Sequence, residues 1–528
     1  MKTKFRLLLS AITFIAGAAL LFAALALPGR LFAQDKQDHN RKHHHYKLID
    51  IGTFGGPESF VPETIEFVNA NGDLNKRGLV VGGSATSIPT TGTSNFLVCG
   101  GLSGTVPFVF HAFEWDRGVV SDLGAFPGAS NCSTVAGVNE IGKVIGGSEN
   151  GEIDPLTGFN QLRAVSWIDG NITDLGSFGG NQNGATGINS HGQVVGFSLN
   201  TIPDPFSIVD FLLVGVPNNG TQIRAFLWQD GVMRDLGTLG GPDAIAYLVN
   251  ERGQIAGQSY TNDIPNPVTG LPTFDPFLWD NGKMIDLGTL GGTFGFPLAL
   301  NNRGQVVGTS NLAGDTTAHA FLWDRGVLTD LGTLGGDFSN ANAINEAGEV
   351  VGYSAPTGDQ SVHAFLWRNG VMTDLGTVDG DPCSTANAIN SRRQVVGIST
   401  ATCDFSTGRR AFLWESGSMV DLNTLIAPGS GLQLTLAETI NDRGEIAGNG
   451  TPHGCGLVEE CGHAFLLIPC DENHLGLDGC DYSLVETPAA VPQPIAAIRD
   501  ASSRTLPQSF QRRMSRYHFP GRAFGLRN

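Results

Sequence analysis

Three carboxylates, a histidine run and eight cysteines are the residues of this sequence whose types and spacing could do chemistry. Asp379 and Asp381 flank Gly380, and Asp404 follows Cys403 directly. A disulfide between Cys383 and Cys403 would draw Asp404 towards the other two. Three carboxylates on one face are hard oxygen ligands of the kind calcium takes. The plainer reading is an acidic cluster in an acidic protein with no cofactor, and calcium is the minor alternative. His43, His44 and His45 could bind a transition metal. No carboxylate or cysteine stands near them at ligand spacing, so a solvated linker is the preferred reading. The sequence contains no Gly-Lys-Ser/Thr phosphate loop, no Gly-x-Ser-x-Gly elbow and no His-Glu-x-x-His pair.

Positioning such residues falls to a repeated unit, seen most clearly from His319 to Ser354. It holds four strand-sized apolar runs rich in β-branched and aromatic residues. No apolar stripe keeps a helical period. We call the run before the Asn-x-x-Gly turn a, the run after it b, the aromatic run c and the Asp-Leu-Gly run d. The Asn turn begins at Asn75, Asn139, Asn189, Asn250, Asn301, Asn345, Asn390 and Asn441, with Arg393 in place of glycine in the seventh copy. The Asp anchor stands at Asp50, Asp122, Asp174, Asp235, Asp286, Asp330, Asp374 and Asp421. Asp286, Asp330 and Asp374 are 44 residues apart. Four strands per period of this length predict an all-β fold, an eight-bladed β-propeller of four-stranded antiparallel blades.

The units resemble the HAF repeat, named for the His-Ala-Phe that opens run c at His111, His319, His363 and His463. The resemblance spans roughly residues 46–469. It implies a probable extracellular repeat protein and no activity, ligand or catalytic residue.

Tyr46–Gly52 reads as a lone d strand before any c, and His463–Pro469 as a c strand with no d after it. The N-terminal strand is therefore expected to complete the last blade and leave no free sheet edge there. The a–b and c–d turns then share one face. The d–a and b–c links share the other, and the b–c links vary most in length. Long, variable loops on a rigid scaffold are where function usually sits.

Eight cysteines in an exported chain suggest disulfides. Paired hairpin residues have a nearly constant sum of positions. That sum is 784 for Asn390 with Gln394 and 786 for Cys383 with Cys403, so these cysteines are expected to lie across from each other. Cys455 with Cys461 and Cys470 with Cys480 would close local loops, and Cys99 with Cys132 remains by elimination. The repeated Asp is expected to accept hydrogen bonds from turn amides, and the tryptophan of each c run to pack between blades. The histidine of His-Ala-Phe gives way to Arg163, Arg224, Arg410 or Asp275, so an exposed strand start is expected there.

Residues 1–33 read as a signal peptide, with Lys2, Lys4 and Arg6 before an uncharged apolar run and cleavage after Ala33. Residues 34–45 read as a polar linker, 470–485 as a short cysteine-containing extension and 486–528 as a disordered basic tail. The formal charge of −18 argues against nucleic acid and anionic membrane as partners. Once the leader is cleaved, no membrane insertion is expected, and the chain reads as an extracellular or cell-envelope monomer. The function this supports is a non-catalytic binding protein that uses its b–c loop face for a glycan or protein partner. The alternatives are a structural matrix component and a polysaccharide-acting propeller enzyme.

Overall fold

The computed structural model of the protein describes residues 41–487, except 63–71, 92–93, 96–98, 100–107, 129–130, 156–157, 205, 207–219, 267–269, 406 and 457. The expected leader, the first part of the linker and all but the first two residues of the basic tail lie outside the described residues. The fold is all-β. Six four-stranded antiparallel sheets each run in the order a-b-c-d, as the repeat predicts. Two more such units, the fourth and fifth, join into one eight-stranded sheet through a single parallel pairing of Phe274 with Phe294. In the last sheet, d is Tyr46–Asp50, paired antiparallel with His463–Pro469 from Tyr46↔Pro469 to Asp50↔Phe465.

The a–b turn is built by its asparagine. In the sixth unit the Asn345 side-chain oxygen accepts from the amides of Ala347 and Glu349, both at 3.0 Å. Gly348 closes the turn at φ 81°, where a side chain is disfavoured. The asparagine Nδ2 then donates to the main-chain oxygen of the asparagine in the next unit. The bonds run from Asn75 to Asn139, Asn189, Asn250, Asn301, Asn345, Asn390 and Asn441, at 2.9–3.2 Å. Asn441 donates to Asn75 at 3.0 Å, so the series returns to its start.

In the c–d turns, two successive residues take positive φ, as at Arg325 (49°) and Gly326 (89°). That is the type I′ geometry, whose twist matches the strands it joins.

The Val-Val-Gly of strand b answers the aromatic run. Gly308 is paired with Phe321, and strand a shifts register between Pro297 and Ala299. A Cβ on Gly308 would sit 1.9 Å from the Phe296 carbonyl oxygen. Glycine thus lets the bulged strand close over a fully buried phenylalanine. Between sheets, Leu79 and Val81 of the first unit pack with Val144, Val165 and Trp167 of the second. The expected packing of tryptophan between blades holds at Trp167, which is buried.

Two readings change. Arg41–His44 is a strand rather than solvated linker, paired with Leu484–Thr487 from the far end of the chain. Its driving contact is His43, whose side chain is fully buried and hydrogen-bonds Glu415 at 2.8 Å. Among the described residues, a four-residue helix, Val458–Cys461, and a three-residue 3-10 turn, Leu422–Thr424, also interrupt the strands.

Candidate functional sites on the two faces

The repeated acids do accept turn amides, as expected; Gly332 N donates to Asp330 at 2.8 Å. They also hold a second partner that the sequence reading missed. The histidine opening run c is half-buried, and its Nδ1 lies 2.9 Å from the aspartate of the same sheet in His111–Asp122, His319–Asp330, His363–Asp374 and His463–Asp50. Arg163 and Arg224 replace it against Asp174 and Asp235. The exchange His/Arg was the available signal: both are donors that suit a carboxylate. Burial alone would raise the carboxyls of Asp50, Asp122 and Asp330. The histidine and glycine donors outweigh it and hold them below the usual range.

The fourth unit breaks this rule. Asp275 takes the histidine position against Asp286, is 8 % exposed, and its Oδ1 has no hydrogen-bond partner. Burial and the Asp286 charge push its carboxyl up to about 7.

On the loop face, Arg410 bridges two of the three carboxylates that the sequence reading brought together for calcium. Its two terminal nitrogens reach Asp379 at 3.0 Å and Asp381 at 2.9 Å. Asp381 also accepts from Ser399, and Asp404 accepts from Thr402 at 2.6 Å. Among the described residues, these three carboxylates do not form a cluster with ligand atoms within 4.8 Å of one another. Cys99, Cys132 and Glu149 do, but the two sulfurs are bonded to each other.

All four expected disulfides are present: Cys99–Cys132, Cys383–Cys403, Cys455–Cys461 and Cys470–Cys480. The register argument for the second needs correction. Cys383 pairs across the hairpin with Thr400, and Cys403 sits three residues further on, in the turn after the strand. That turn folds back and brings the two Cα atoms to 5.3 Å.

The loop face is uneven. Strand b has ten residues in the first three units and six or seven in the other five. Strand c lengthens with it, to nine residues. The three long hairpins are tied together through Gln182, whose main-chain oxygen accepts from the Leu199 amide of the third at 3.1 Å. Glu149 accepts the Cys132 amide at 2.8 Å, Asn95 donates to Gln182 at 3.0 Å, and Gln182 donates to Asp154 at 3.1 Å. Near the ends of strand b in units one to three, and in the b–c link of unit four, Ile88, Ile153, Ile202 and Ile264 are all exposed, by 41–71 %.

The turn face carries a cleft of about 240 Å³ that no motif announced. Its walls come from two a–b turns (Arg392, Gln394, Gly444), one c–d turn (Glu415, Ser416) and the segments that flank the split last sheet (His44, Tyr46, Asp471). The Cys470 amide bonds to the His45 oxygen at 2.8 Å and the Tyr46 amide to the Leu425 oxygen at 2.7 Å, which fixes these two segments on the sheet. Glu415 is held by His43 and, at 2.8 Å, by Gln394. Burial tends to raise its carboxyl, but these donors and the nearby histidine charges hold it below the ordinary range.

No protein-family model matches the chain, and no curated protein matches it. Among solved structures, it is similar to dipeptidyl peptidase 4 from Porphyromonas gingivalis, at 12 % identity over 65 % of this chain and 54 % of that one, with a TM-score of 0.39. It is also similar to the β-propeller domain of the Trilobed protease from Pyrococcus furiosus, at 10 % identity over 68 % and 96 %, TM-score 0.33. TolB from Acinetobacter baumannii matches at 11 % identity over 72 % and 95 %, TM-score 0.28. The chain spans 54–62 % of the first three chains it matches. No activity is carried over from these likenesses.

Proposed function

We propose that the chain is an exported, eight-bladed β-propeller of the HAF-repeat type that binds a protein partner through its b–c loop face and does no chemistry on it. The eight-membered asparagine series supports the blade count and the closure, because its last donor returns to its first acceptor. Four disulfides are compatible with export to an oxidising compartment. Most acids and cations of the repeat serve each other, which makes them parts of the scaffold. The carrying observation is the raised, cross-braced set of hairpins in units one to three, with exposed isoleucines on four successive units. Branched aliphatic side chains in water are a gain waiting for an apolar partner surface, and they offer no hydrogen-bonding group to the hydroxyls of a sugar. This favours a protein over the glycan that the sequence alone left open.

The test is capture from envelope and secreted fractions by the purified, oxidised protein and by a variant carrying Ile88→Ser, Ile153→Ser, Ile202→Ser and Ile264→Ser. A defined partner retained by the parent and lost by the variant is the expected result. Retention of the same partner by both proteins sinks the assignment of the face.

A further inference from the structure

The geometry points to the turn-face cleft as a second binding site, for one neutral polyhydroxylated unit of monosaccharide size. This site lies on the opposite face from the protein-binding surface and stands or falls without it.

The cleft is a built site with unmet hydrogen-bonding groups. Tyr46 is 5 % exposed, lines the cleft, and its hydroxyl makes no hydrogen bond to a described residue. Burial pushes that hydroxyl's pKa upward, with Glu415 and Asp471 acting in the same sense and Arg392 against them, so it stays neutral, able to donate and accept. Among the described residues, Nδ1 of His44 is also buried and without a hydrogen-bond partner. Among the described residues, the Arg392 guanidinium has no ion pair or hydrogen bond. Unmet buried polar groups cost free energy unless a ligand or water completes them.

The charge pattern selects the ligand class. Glu415 is already held by His43 and Gln394, and Asp471 by His474 at 2.7 Å and by the Asn473 amide at 2.9 Å. These carboxylates would repel a free anion, and the two remaining charges of the lining, the exposed Glu472 and Arg392, offset each other, so neither a free anion nor a free cation is favoured. A ring of hydroxyls has no net charge and can donate to one wall and accept from the other. The volume of about 240 Å³ admits one such ring rather than a long chain lying flat.

The experiment titrates the oxidised full-length protein with a panel of neutral monosaccharides and disaccharides, followed by calorimetry and ligand-observed NMR. Hexuronic acids and free amino acids form the control arms. Binding of at least one neutral sugar is expected, weakened tenfold or more by Tyr46→Phe, which keeps the ring, and by Arg392→Gln on the exposed wall. Thermal melting of neither variant without sugar should fall below that of the parent, and removal of the unmet Tyr46 hydroxyl should if anything raise it. No sugar binding, sugar binding untouched by both variants, or binding confined to the acids or amino acids would overturn the proposal. The loop-face isoleucine variant should bind the sugar as the parent does; loss there would place the sugar on the other face and refute this site.

Discussion

Nδ1 of His463 lies 2.9 Å from Oδ1 of Asp50, although 413 positions separate the two residues. Within three other units the same contact spans eleven positions, as from His319 to Asp330. The strand near the N-terminus thus makes for the last sheet the contact that a local hairpin makes elsewhere. Deleting residues 46–52 should remove this contact and leave the edge of His463–Pro469 unpaired. The expected result is an unfolded or self-associating protein in size-exclusion chromatography with light scattering. A monomer with unchanged melting would refute the role given to that strand.

Phe321 and His319 should differ sharply in weight. Phe321 is fully buried, so Phe321→Ala should cost about 3–5 kcal/mol. His319 is half-buried and its partner Asp330 is largely solvated, so His319→Ala should cost only about 0.5–1 kcal/mol. Asp330 titrates below its ordinary value in the folded state. Its share of that stability is present above the ordinary carboxylate pKa and fades as pH falls through the folded one. Denaturant titration of the two variants at neutral and acid pH checks both statements.

Gly308 tests the account of Val-Val-Gly. An added methyl would meet the Phe296 carbonyl 1.9 Å away. Backbone must move to admit it, and Gly308→Ala should cost about 2–3 kcal/mol or more. A neutral effect in urea unfolding would show that the bulge is softer than this geometry implies.

Asp275 gives the pH prediction. Its folded carboxyl holds a proton up to about 7, against an ordinary value of 3.8. The folded state therefore binds more protons than the unfolded state between these values, and stability falls as pH rises through that window. Asp275→His restores the partner that Asp286 has lost. It should stabilise the protein on the order of 2 kcal/mol at pH 8 and much less at pH 4. Equal melting of parent and variant at pH 8 would count against the acid pair.

Much of the scaffold was legible because it is written eight times. The asparagine, the glycine facing phenylalanine and the aspartate each recur with their neighbours, and local turn and strand chemistry fixes what they do. The split last sheet was legible too, since Tyr46–Gly52 and His463–Pro469 each lack what the other supplies. The sites were harder. Arg410 was counted as one of four substitutes for histidine. Yet its reach to Asp379 and Asp381, rather than to Asp421, depends on side-chain length and a loop path that spacing does not encode. The cysteine arithmetic chose the right partner for Cys383 by the wrong route, because a turn beyond Thr400 made up the missing distance. The cleft was invisible because His44 and Asp471, 427 positions apart, come to line it only after the segments on either side of the split sheet have been laid on the turn face.

The asparagine series has no first member. Each Nδ2 serves the unit ahead and each carbonyl the unit behind, so polypeptide order leaves no mark on it. Opening the chain at Arg325-Gly326 and splicing its present ends would move the split sheet to another unit and keep all eight bonds. Such a circularly permuted chain would have to find the same fold from a different starting point. Refolding of that permuted chain to the parent's stability would separate, for this protein, the order of folding events from the finished architecture.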